Sequence, residues 1–104
     1  MVKEKQKNEV LDQVTDSNLA DYQIGEIHVC YAEAYAEIEV KSPSGINEKL
    51  RFEGILDFSM TNHQPWGRGR YICSSDVIVK EKSTIVQIQL NSGDCISLTI
   101  DGNC

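Results

Sequence analysis

Apolar and polar positions alternate with a period of two over most of the chain beyond Gln23. Ile27, Val29 and Tyr31 interleave with Glu26, His28 and Cys30, and Ala36, Ile38 and Val40 interleave with Glu37, Glu39 and Lys41. Successive side chains of a strand point to opposite faces, so each set predicts a strand with one buried and one wet face. Leu50, Phe52, Leu56 and Phe58 continue the pattern along one long strand, with Arg51, Glu53, Ile55 and Asp57 on its other face. Gly54 stands in the apolar series where a large side chain is missing, which predicts a bulge or a close backbone approach. Three more strands follow in "RYICSSDVIVKE", "TIVQIQLN" and "CISLTI"; Val86, Ile88 and Leu90 face inward, as do Ile96, Leu98 and Ile100.

The links are short. "SPSG" (Ser42 to Gly45), "KEKS" (Lys80 to Ser83) and "NSGD" (Asn91 to Asp94) are turn sequences, the last with glycine at a position of positive φ. The link at Ala32 to Ala34 is short but lacks a turn dipeptide; it is read as a hairpin, or alternatively as a bend through which one strand runs on. Residues 1–8 are polar and predict a disordered tail. Val10, Leu11 and Val14 have the spacing of a short amphipathic helix, stopped at Thr15 to Asn18. No segment reads as a long crossover helix. Residues 9–104 are therefore expected to form a single, mainly β domain. Its expected form is an antiparallel β-sandwich or strongly curled sheet of about six strands, with a short N-terminal helix.

Length and composition narrow the function classes. A chain of 104 residues buries about two-thirds of its unfolded surface, enough for an ordinary core. No apolar run approaches the ~18 residues of a membrane span, and the N-terminus lacks the apolar region of a secretory signal. The expected location is cytoplasmic. The net charge of -6 repels phosphate backbones, so nucleic acid is not an expected partner. An acidic surface suits a basic protein partner, or serves only to keep the chain soluble, the more ordinary role of such a charge.

Cys30, Cys73, Cys95 and Cys104 are widely spaced, with no CxxC pair. They read as free, small apolar residues rather than metal ligands. His28 and Cys30 share a strand face, but no metal and no cofactor are expected. P-loop, dinucleotide, HExxH and GxSxG motifs are absent from the sequence. His63 with Cys73 or Ser74 is the one nucleophile pairing to weigh, and it would need a cleft and an orienting group. The carboxylate pairs Glu37/Glu39 and Glu53/Asp57 read as ordinary wet-face residues. No enzymatic activity is expected.

The stretch "HQPWGRGRY", His63 to Tyr71, stands apart: it holds the only tryptophan and two of the three arginines. Two readings are open. In one, the segment is a corner loop whose Trp66 folds back to plug the core. In the other, His63, Trp66, Arg68, Arg70 and Tyr71 are exposed together as a recognition patch, built from residue types that dominate interface hot spots. The exposure of Trp66 decides between them.

Three segments carry a resemblance. "LADYQIGEI" begins at Leu19-Ala20-Asp21, "RFEGIL" spans Arg51 to Leu56, and "PWGRGRYI" spans Pro65 to Ile72. Their order resembles that of a loose group of small bacterial proteins, some of them assigned as immunity proteins that neutralise a toxin. That group more often has His-Asp where this chain has Ala20-Asp21. The resemblance implies a non-enzymatic, acidic, β-rich binding protein; taken with the acidic charge, the expected function is an immunity-like inhibitor of a basic protein. The alternative is a structural subunit that self-associates through its sheet edges without a ligand site.

Overall fold

The computed structural model describes residues 3–4, 11, 13–15 and 18–101. Eight strands run in chain order: β1 (Lys3–Glu4), β2 (Gln23–Cys30), β3 (Tyr35–Lys41), β4 (Asn47–Glu53), β5 (Ile55–Met60), β6 (Ile72–Val79), β7 (Ser83–Leu90) and β8 (Cys95–Asp101). They form two sheets, one ordered β1-β4-β3-β2 and the other β5-β8-β7-β6. Every pairing is antiparallel except that of the two-residue β1 with Glu48 and Lys49 of β4. Neither sheet closes into a barrel among the described residues.

The long strand expected from Leu50 to Phe58 is two strands in two different sheets. Gly54 lies between them at φ 72, a backbone conformation in which other residues are strained. Its carbonyl accepts the Asp101 N–H at 2.8 Å, and the Ile55 N–H donates to the Ala34 carbonyl at 2.8 Å. The crossing splits what reads as one strand, so seven antiparallel strands stand where about six were expected. It also separates Glu53 and Asp57, which share no strand face. A register shift between Ile55 and Asp57 then turns Ile55 and Phe58 toward the core and leaves Leu56 exposed.

A second shift, between Ile24 and Ile27, has the same effect in β2. Ile24 and Ile27 pack against the core. Val29 is 49% exposed on this edge strand, and Tyr31 is 98% exposed at the start of the Tyr31 to Ala34 turn. The inward series predicted through Val29 and Tyr31 therefore ends at Ile27. That turn joins Cys30 to Tyr35 as a hairpin with Ala34 at φ 54.

One core joins both sheets. Ile38, Val40, Leu50 and Phe52 from the first meet Ile72, Val86, Ile88, Ile96, Leu98 and Ile100 from the second. Each fully buried side chain of this size contributes roughly 1.5–3 kcal/mol. The predicted N-terminal helix falls mainly outside the described residues, although Leu11 and Val14 are described and buried. Of the predicted tail, only β1 is described. Ser75 of β6 fastens the N-terminal segment: its hydroxyl donates to the Val14 carbonyl at 2.6 Å and accepts the Leu19 N–H at 3.4 Å. Among the described residues no helix is long and apolar enough to cross a membrane.

Candidate functional site

Residues 61–71 link β5 to β6 across one end of the two-sheet body, and a carboxylate organises them. Asp94 ends the turn between β7 and β8 and is buried. Its Oδ1 accepts the Thr61 hydroxyl at 2.9 Å and the His63 N–H at 2.7 Å. Its Oδ2 accepts the Gln64 N–H at 3.0 Å and the Ser92 hydroxyl at 2.8 Å. Four donors on one carboxylate make a charge-assisted clamp. Burial pushes the Asp94 carboxyl up, but the donors from His63, Ser92, Gln64 and Thr61 outweigh it and hold the pKa down to about 2.

Past the clamp, the Trp66 N–H donates to the Ser92 carbonyl at 3.0 Å and the Gly67 N–H to the Gln64 carbonyl at 3.0 Å. The indole lies against Gly93, where a Cβ would stand 2.7 Å from Pro65 Cγ and 3.0 Å from Trp66 Cδ2 and Cε3. Gly93 is at φ 91, so both its backbone and its surroundings call for glycine. Trp66 nevertheless remains 78% exposed. Of the two readings of this loop, the plug is excluded: Trp66 does not enter the core, which Ile72, Ile88 and Ile96 already fill.

The far end of the loop is tied from two sides. The Tyr71 N–H donates to Asn91 Oδ1 at 3.2 Å, and its carbonyl accepts the Asn91 N–H at 2.9 Å. The Arg70 carbonyl accepts the Ile24 N–H at 2.7 Å, and the Tyr71 hydroxyl accepts Gln23 Nε2 at 2.9 Å. His63, Trp66, Arg68, Arg70 and Tyr71 are all exposed. The loop thus presents two guanidiniums and two aromatic rings from a backbone fixed at both ends.

No hydrogen bond among the described residues joins the His63 side chain to Cys73 or Ser74; Ser74 donates instead to Gln89 Oε1 at 3.3 Å. Cys30, Cys73 and Cys95 carry free thiols, and Cys104 lies outside the described residues. Among the described residues, none of these three cysteines belongs to a group of three clustered metal-ligating side chains.

The outer face of β2, β3 and β4 has a different character. Glu26, His28, Glu37, Glu39, Lys49, Arg51 and Glu53 lie in cross-strand rows there. Arg51 holds Glu37 at 3.0 Å and lies 3.9 Å over the Tyr35 ring. Sequence reasoning named the loop residues but not Asp94, whose only signal was a polar residue closing a turn.

No protein-family model matches the chain, and no curated protein and no solved structure matches it.

Proposed function

We propose that this is a small, non-enzymatic binding protein that docks a protein partner through the loop from His63 to Tyr71. The observation that carries the reading is a tryptophan left 78% exposed on a backbone held by a buried, four-fold hydrogen-bonded carboxylate. Holding such a loop rigid lowers the ordering cost of association. Trp66 is the anchor; Arg68, Arg70, Tyr71 and His63 flank it. The acidic face of β2 to β4 steers a basic partner toward the molecule, and binding acts by occlusion, as in an immunity-like inhibitor in the cytoplasm.

The test uses the wild-type chain and the Trp66→Ala and Arg68→Ala variants as baits in parallel. The expected partner is retained by the wild type, is lost with either substitution and binds more weakly as salt rises. A complex indifferent to both substitutions, or to salt, refutes the proposal.

A second reading has an observation of its own. β6 is the last strand of its sheet; its first residue, Ile72, is hydrogen-bonded to Asp21 and Tyr22, but Ile78 and Val79 near its other end are 39% and 61% exposed. Unpaired edges with apolar side chains favour strand addition, so the chain would self-associate through β6. Sedimentation across a wide concentration range separates the two: a monomer throughout rules out self-association.

A further inference from the structure

Glu26, His28 and Glu39 each bring one ligand atom into a group whose members all lie within 4.8 Å of one another. The backbone arranges this. Ile24 pairs with Val40 and Ile27 with Ile38, so Gly25 and Glu26 stand together opposite the single residue Glu39. The bulge sets Glu26 against Glu39 and keeps His28 on the same outer face. Like charges opposed across strands are destabilising.

The cations nearby do not relieve that repulsion. Arg51 is committed to Glu37 at 3.0 Å, with Glu53 at 3.9 Å and the Tyr35 ring beneath it. Lys49 is the register partner of Glu39 in β4, yet no ion pair joins them. Glu37 is the register partner of His28, but Arg51 occupies it. His28 therefore turns to Glu26, with Nε2 3.8 Å from Oε2.

We infer that Glu26, His28 and Glu39 form a binding site for a divalent transition cation of the zinc class. One imidazole nitrogen with two carboxylate oxygens suits zinc, whereas magnesium and calcium take oxygen ligands. Three protein ligands with water in the remaining position is the pattern of an open zinc site. Zinc–ligand bonds of about 2.0–2.2 Å bring tetrahedral neighbours to roughly 3.3 Å apart, so the side chains close by roughly 1.5 Å on binding. Exposed Glu26 and His28 have the freedom to do so. The cation neutralises the opposed carboxylates that the bulge creates.

The test is calorimetric titration of zinc chloride into the full chain with all four cysteines replaced by serine, which removes thiolate competition. Binding at one ion per chain is expected. His28→Ala and Glu39→Gln should each weaken it by more than about tenfold, a loss that even outer-shell changes reach. His63→Ala should leave it unchanged, and magnesium chloride should give no heat. Far-UV circular dichroism checks that each variant folds. Titrating the native chain and following the His28 imidazole by NMR repeats the test without the cysteine changes. Absence of binding, full-strength binding in His28→Ala, or loss of binding in His63→Ala overturns the assignment.

Discussion

Replacing Gly93 with alanine tests how the loop is built. Gly93 is at φ 91, and holding a residue with a side chain in such a region costs of order 1–3 kcal/mol. The new Cβ would also stand 2.7 Å from Pro65 Cγ and 3.0 Å from two indole carbons. Ordinary carbon contacts lie at about 3.5–4.0 Å, so Pro65 must retreat by roughly 1 Å and carry Trp66 with it. Overpacking of this kind adds about 1–3 kcal/mol. Gly45 supplies the control: it has φ 92, and nothing lies within 4 Å of its added Cβ. Gly45→Ala should show the backbone cost alone, and Gly93→Ala the backbone cost plus the contact. Urea denaturation of both variants gives the difference, and acrylamide quenching reports whether the indole has shifted. At roughly 4–8 °C per kcal/mol for a domain near this size, the two melting temperatures should separate clearly. Equal losses in the two variants, or Trp66 quenching unaltered by Gly93→Ala, would refute the packing of the loop on this turn.

Three further outcomes are expected. In the wild type, Trp66 emission should be red-shifted and readily quenched by acrylamide; blue-shifted, protected emission would mean that the ring is buried. The Asp94 carboxyl is held at about 2, below the ordinary 3.8, so its stabilisation is complete above pH 3.8 and is lost as the pH falls through 2. Asp94→Asn should flatten the acid-unfolding curve in that window, and a variant that keeps the wild-type slope would show that the clamp carries no linkage. Ser75→Ala leaves the Val14 carbonyl and the Leu19 N–H without their partner, which should cost about 1–3 kcal/mol in chemical denaturation; a neutral result would mean that water replaces the hydroxyl.

The second sheet was legible where alternation is uninterrupted. The alternation puts Val86 and Ile88 of β7 and Ile96, Leu98 and Ile100 of β8 on the inward face, and all five are buried. Alternation failed at the register shifts. Gly25 and Glu26 look like two ordinary strand residues, and nothing local states that both oppose Glu39. The Ile55–Leu56 pair gives the same ambiguity, because either residue fits an apolar face until β8 fixes the register. Gly54 predicts a bulge or a close approach, but a glycine does not announce whether it bends a strand or passes it to another sheet. At the loop, residue types pointed to recognition, but exposure depended on a buried carboxylate thirty residues away in sequence.

The crossing at Gly54 also has a kinetic consequence. Four strand pairs close through short links, joining Cys30 to Tyr35, Lys41 to Asn47, Val79 to Thr84 and Gln89 to Cys95. The pairing of β5 with β8 must instead bring Met60 to Ile96. Closing so long a segment costs roughly 2 kcal/mol more entropy than closing a hairpin. Two local meanders, β2 to β4 and β6 to β8, are thus the fast stages of folding, and β5 is the late latch that sews one to the other. Until it seats, the edge of β8 is open to pairing with another chain, and the interval before that closure is when this protein is most exposed to misassembly.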